Sequence, residues 1–237
     1  MSDGIYIAVS GSLARQEQLD RTSHNLANVD TPGFQARSLR FQELVVDRAS
    51  GRSHVQSAQG KMSQAQGAVE ETANPFDFAI VGDGYFTVKS PNGTALTKAG
   101  NFKVNENGNL VTQDNLPVLN ASNNPVMVPP ATDFYVDENG NIWDDYGVVD
   151  QIQIVRTTDP ANLKPIGDSL FLAAANSLEP SVATVQQGHI EKSNVNAVES
   201  MTELITIQRH FEAMQKLVQT FAQIDSRAAR DLGSING

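Results

Sequence analysis

The sequence predicts an α+β protein. Its N- and C-terminal helices are expected to pair as a coiled-coil-like bundle, with a small antiparallel β domain and an extended arm inserted between them. Three observations carry this expectation. Residues 5–28 contain no Pro and only Gly11, with apolar residues at near-helical spacing. From Asn196 to Gly233 apolar residues recur at steps of three and four without a Pro or Gly. Between these ends the period switches to two and Gly, Asn and Pro turn signals recur.

In the N-terminal helix, Ile5, Val9, Leu13, Leu19 and Leu26 form a narrow seam, interrupted by Ser12, Gln16 and Ser23. The helix is expected to stop at Asn28-Val29-Asp30-Thr31-Pro32-Gly33, which supplies an Asn, a Pro and a Gly. A helix with so narrow a seam is marginal alone. Residues 35–74 read as an extended arm. Phe41–Val46 is a short apolar piece, and Ala49–Ala73 is rich in Ser, Gln, Gly and Ala, too poor in large apolar groups to offset ordering unless a neighbour covers it.

The β domain is expected over 75–187. Phe76–Val81 alternates, and Gly82-Asp83-Gly84 is expected to close a hairpin into Tyr85–Lys89. Pro91-Asn92-Gly93-Thr94 is a second hairpin signal. Two stretches repeat each other, Asn101–Leu110 and Asp133–Ile142, each an alternating strand followed by Glu-Asn-Gly-Asn. Short strands continue at 116–119, 126–128, 148–155 and 169–173. The C-terminal part of the helical domain is expected over 188–237, and the N-terminal part over 1–34. Asn196 with Glu199 makes a capping-box-like start. Met201, Leu204, Ile205, Phe211, Met214, Leu217, Val218 and Phe221 form the expected stripe, while Ile207 and Ile224 fall off it and call for further partners.

Composition removes several classes of function. The absence of Cys excludes disulfides and thiolate chemistry. The net charge of −10 is uneven: residues 121–190 hold Arg156 and Lys164 against nine acids, whereas the helical ends are near neutral. That argues against nucleic acid as a partner, and near-neutral ends suit protein packing. The start lacks the basic and apolar regions of a cleavable signal peptide, and no apolar run approaches a membrane span.

No constellation of residues argues for catalysis or a cofactor. Gly82-x-Gly84 lacks the third Gly of a dinucleotide motif. Asp137, Asn139, Asn141 and Asp145 are spaced like calcium-loop ligands, but Gly140 is misplaced for an EF-hand, which favours turn chemistry. His24, His54, His189 and His210 show no ligand spacing. Trp143 is either a β-domain core residue or a contact to a neighbour. Asn25, Asn28, Asn194 and Asn196 read as helix caps or as buried amides that fix helix register. The candidate subunit-interface residues are Ile5, Val9, Leu13, Leu19, Leu26, Asn25 and Asn28 on the first helix. On the second they are Met201, Leu204, Ile205, Phe211, Leu217, Val218 and Phe221.

Asn25-Leu26-Ala27-Asn28 with Thr31-Pro32-Gly33-Phe34, Ser193-Asn194-Val195-Asn196, and Gln208-Arg209-His210-Phe211-Glu212 together resemble the rod and hook group of bacterial flagellar axial proteins. Phe78–Val88 and Leu96–Phe102 are similar to the group's middle segment, with Leu96 and Lys98 in place of Tyr and Arg. There is no room for the outer domain of hook subunits, and the short arm is more like proximal-rod than distal-rod members. The resemblance implies a structural subunit without a cofactor, exported through the flagellar type III gate without a cleavable signal. It implies polymerisation through the terminal helices into a periplasmic drive shaft that transmits motor torque to the hook. Sister copies, other rod subunits, the export apparatus and ring components would be its partners, with no membrane insertion. A secreted β-domain binding module on a helical stalk is the competing class.

Overall fold

The computed structural model describes residues 3–39, 41–47, 52–57, 60–129, 134–160, 163–167, 169–173 and 177–234. The chain divides into two compact units. One comprises residues 1–27, 37–61 and 196–237, and the other residues 28–36 and 62–195.

The helical unit contains α1 (Asp3–Ala27), β1 (Arg37–Ser38), β2 (Phe41–Asp47), β3 (Arg52–Ser57) and α2 (Ala197–Ser234). The strand β4 (Lys61–Met62) lies where the chain leaves it. The two helices pack on each other and run antiparallel: Gly11 faces the Met214 thioether, and Gln18 Nε2 donates to Glu203 Oε1 at 3.0 Å. At a rise of 1.5 Å per residue, α1 is about 38 Å long and α2 about 57 Å. Asn196 caps α2 as expected, its Oδ1 accepting from the amides of Val198 at 3.1 Å and Glu199 at 3.2 Å.

The expected arm is in part a hairpin. The strands β2 and β3 are antiparallel, from Phe41↔Ser57 to Asp47↔Arg52, and β3 packs on α1. Composition alone misjudged this segment because a hairpin satisfies its own backbone groups and needs only one neighbouring surface. Residues 40, 48–51 and 58–59 of the expected arm lie outside the described residues.

The β unit carries β5 (Val69–Glu71), β6 (Phe78–Val81), β7 (Tyr85–Ser90), β8 (Gly93–Thr97), β9 (Lys103–Val104), β10 (Leu110–Val111), β11 (Tyr135–Val136) and β12 (Asn141–Asp144). It continues with β13 (Gly147–Gln151), β14 (Ile154–Thr157), β15 (Lys164–Pro165), β16 (Leu170–Leu172), β17 (Leu178–Pro180), β18 (Thr184–Gln187) and β19 (His189–Glu191). Six strands form an antiparallel sheet in the order β15-β16-β8-β7-β14-β17. It is buried on both faces. Phe86, Val88 and Ala95 point into a core with Phe78, Phe102 and Ile142, while Tyr85 and Leu96 point into a second core with Val155 and Phe171. Pro91 and Asn92 turn β7 into β8, with Ser90 opposite Gly93, as the sequence suggests.

Gly82-Asp83-Gly84 does not close a hairpin. The strand β6 pairs with β18, whereas β7 pairs with β8 and β14. The turn carries the chain out of one sheet into another, with Gly82 at φ +113°.

Candidate assembly surfaces

The helical unit has an inward seam and an outward apolar surface. Among the described side chains of α2 the less exposed positions are Ala197, Ser200, Leu204, Ile207, Phe211, Met214, Val218, Phe221 and Asp225, an alternation of three and four. Ile207 is the most enclosed of them, at 2% exposure. This corrects the expectation that Ile207 lies off the packing stripe. Met201, Ile205 and Leu217, expected in the stripe, are exposed, as are Val198 and Ile224. The exposed apolar groups of α2 fall in two patches, Val198, Met201 and Ile205 near its start and Leu217 and Ile224 further on, rotated by roughly a third of a turn, and periodicity alone does not say which side the chain keeps for itself. Among the described side chains of α1 the buried ones are the small Ala8 and Thr22, and Gly11 lets α2 approach. Leu13, at 62% exposure, and Val9 face outward, and Leu19 and Leu26 are half-buried. The Ile5 side chain lies outside the described residues.

The Asn25 amide is engaged by the chain that follows α1. Its Nδ2 donates to the Arg37 carbonyl at 2.9 Å and its Oδ1 accepts from the Arg37 amide at 3.0 Å, a two-point grip on the returning chain. Asn28, buried in the β unit, accepts from Thr31 Oγ1 at 3.0 Å and so shapes the turn after the helix.

Within the β unit the two terminal motifs meet. Gly33 N donates to the Glu191 carbonyl at 2.7 Å, and Asn194 N to the Phe34 carbonyl at 3.3 Å. The Asn194 side chain accepts from Ala36 N at 2.7 Å and donates to the carbonyls of Ala65 and Ser63. Gly33, at φ +66°, sits so close to the backbone of Lys98 and Ala99 that a Cβ would clash. This is the physical content of the Thr-Pro-Gly-Phe motif. Beneath it lies an ion pair that the sequence did not disclose: Lys98 Nζ stands 3.5 Å from Glu191 Oε2, with both residues buried. Glu191 Oε1 also accepts from Gly67 N, and Lys98 lies over the Tyr85 ring. Burial raises the Tyr85 phenol above its ordinary pKa, against the effect of its hydrogen bond to Gln35. The available signal was Lys98, a lone charge between Thr97 and Ala99-Gly100 in the middle motif; Glu191, with Lys192 beside it, gave none.

The repeated Glu-Asn-Gly-Asn turns have one construction. Asn105 Oδ1 accepts from the amides of Asn107 and Asn109, and Asp137 Oδ1 from those of Asn139 and Asn141. Gly108 and Gly140 take φ +78° and +80°. Two further copies escaped the sequence reading. Asn120 accepts from Ser122 N and Asn124 N, and Thr112 Oγ1 from Leu116 N, with Asn123 and Asn115 at positive φ where the first two turns have Gly. Asp137 Oδ2 accepts from Asn141 Nδ2 at 2.8 Å and Trp143 Nε1 at 3.1 Å. Its burial opposes ionisation, but the hydrogen bonds from Asn141, Trp143 and Asn139 outweigh this and hold the carboxyl below the usual carboxylate range. These oxygens build a turn, which accounts for the ligand-like spacing. Among the described residues no cluster of His, Asp and Glu could hold a metal ion.

Three family models match in chain order. They are "Flagella basal body rod protein" over residues 5–35, "Flagellar hook protein FlgE/F/G D1 domain" over 79–144, and "Flagellar basal body rod FlgEFG protein C-terminal" over 186–231. The chain is 36% identical to the flagellar basal-body rod protein FlgF of Mesorhizobium japonicum, covering 99% of each chain. It is 31% identical to FlgF of Rhizobium meliloti over 98% of this chain and 99% of the relative. It is also 30% identical to FlgG of Agrobacterium fabrum over 95% and 98%. Sequence motifs, converging termini and full-length relatives agree: this chain belongs to the flagellar basal-body rod protein family and is FlgF-like within it.

Proposed function

We propose that this chain is a structural subunit of the flagellar basal-body rod that polymerises through its terminal helices and passes motor torque towards the hook. The observation that carries this reading is the outward apolar surface of the helical unit, with Val9 and Leu13 on α1 and Val198, Met201, Ile205, Leu217 and Ile224 on α2. Scattered apolar residues are ordinary on a surface, but these gather in patches beside a filled seam, Val198, Met201 and Ile205 at steps of three and four and Leu217 with Ile224 at a step of seven. They suit a coiled-coil-like packing in which copies of α1 and α2 cover one another. Its partners would be sister copies and neighbouring rod subunits, with the export apparatus and ring components as contacts. Passage through the type III gate and residence in the periplasmic rod follow from the same reading, as does a role without catalysis.

The proximal-rod reading is favoured over the distal one. Alignment with the Mesorhizobium FlgF spans 242 residues, and alignment with the Agrobacterium FlgG spans 259, so this chain lacks length that the distal type has. Membership of the rod family leaves the stalked binding module without support.

The test is genetic. A deletion strain complemented with Leu13→Glu plus Ile205→Glu is expected to express the protein and remain non-motile, while Gln208→Glu, a polar change on the same helix, restores swimming. Normal swimming with the double variant would refute assembly through this surface.

A further inference from the structure

The three-stranded sheet β11-β12-β13 has an inner face that belongs to the core and an outer face left open among the described residues. Val136 and Ile142 point inward and are buried. The outward positions would normally be polar, yet Tyr135, Trp143 and Val148 stand side by side across the three strands, Tyr135 opposite Trp143 and Trp143 opposite Val148. The Tyr135 and Trp143 rings are stacked, with centroids 6.0 Å apart and planes 2° from parallel. Tyr135, at 57% exposure, lies on an edge strand. A bulge between Ile142 and Trp143 leaves Val149 exposed beside Val148. At the hairpin tip Tyr146 is 98% exposed, in a turn fixed by Asp144 Oδ1, which accepts from the amides of Tyr146 and Gly147.

This platform is rigid before anything binds. The Trp143 indole is locked by its hydrogen bond to Asp137, and Asp137 by the turn it closes. The stretch of chain that carries the platform holds one sign of charge. From residue 104 to residue 155 the chain has no Lys, Arg or His and eight acids. Two of them, Glu138 and Asp145, are exposed at opposite ends of the β12 hairpins and have no side-chain partner among the described residues.

We propose that this face docks a segment of another protein that bears arginine or lysine. The cationic head would lie over the Tyr135–Trp143 platform, its aliphatic stem along Val148, and Glu138 and Asp145 would balance its charge. An aromatic face draws a cation through its ring quadrupole, and pre-organised rings lose little entropy on binding. An uncharged apolar partner would gain nothing from the one-signed surroundings, and a phosphate-bearing or acidic partner would be repelled by them.

Trp143 is the sole tryptophan of the chain, so its emission reports directly on this face. The full-length chain is titrated with the pentapeptide Gly-Arg-Gly-Arg-Gly, with its serine counterpart Gly-Ser-Gly-Ser-Gly as control. The expected result is a saturable change in Trp143 emission with the arginine peptide, weakened by added salt and absent with the serine peptide at the same concentrations. Tyr135→Ala should weaken binding roughly two- to five-fold, the range of one exposed cation–π contact. Glu138→Gln with Asp145→Asn, which alters only exposed groups, should weaken binding and flatten the salt dependence. Equal response to both peptides, or none to either, would overturn the proposal. So would a Trp143 shift that depends on protein concentration without any peptide, since a second copy would then be the occupant.

Discussion

The residue that bears most on the β unit is Glu191. Its carboxylate meets a buried ammonium and a backbone amide, while its own main chain holds Gly33 and is itself paired in β19 with Val69. Removing one partner of a buried ion pair strands the other charge away from water, which costs far more than the pair contributes. Glu191→Gln keeps the acceptor for Gly67 but leaves Lys98 without a counter-charge. It is expected to lower the urea-unfolding free energy of the β unit by about 3–5 kcal/mol. Adding Lys98→Met should restore most of that loss. A Glu191→Gln chain as stable as the parent would show that the pair is solvated. The motif glycines are of the same kind: Gly33 is required by its positive φ and by the Lys98–Ala99 backbone it touches, which a sequence shows only as a letter in a motif.

The elements were legible in proportion to how local their causes are. The helix cap at Asn196, the Pro91–Asn92 hairpin and the Asn105 and Asp137 turns depend on residues within five positions, and the structure has each of them. The Thr112 and Asn120 turns were missed because Asn115 and Asn123 supply the positive φ in place of Gly. Gly82-x-Gly84 misled because local pattern cannot show that β6 finds its partner in β18, a hundred residues on. The helix α2 misled for a related reason: apolar groups occur on more than one side of it, and only the position of α1 makes Ile207 an inner one. The Asp137 turn has a pH dependence of definite sign. Its folded carboxyl ionises below the unfolded value near 3.9. The stability it contributes is therefore complete above about pH 4 and is lost as pH falls through the folded value. Trp143 emission is expected to change in that acid window and to lose the transition in Asp137→Asn. An emission that titrates identically in both chains would place its cause elsewhere.

For the whole molecule, the division of labour is between a β unit with two closed cores and a helical unit that leaves apolar groups uncovered. Family membership makes a rod subunit of this arrangement, and the uncovered surface supplies the reason for polymerising. The helices share a narrow seam built on α1 from small residues, and α2 runs roughly a dozen residues beyond the start of α1 at equal rise per residue. On the proposed reading such a pair gains its full order from neighbours that cover its exposed apolar patches. The direct measurement is far-ultraviolet circular dichroism of the purified chain across a dilution series, with association state followed by sedimentation. Helix content is expected to rise with association and to stay low in the dilute monomer and in Leu13→Glu plus Ile205→Glu at every concentration. A dilute monomer with the full helix signal and one sharp melting transition would contradict the account.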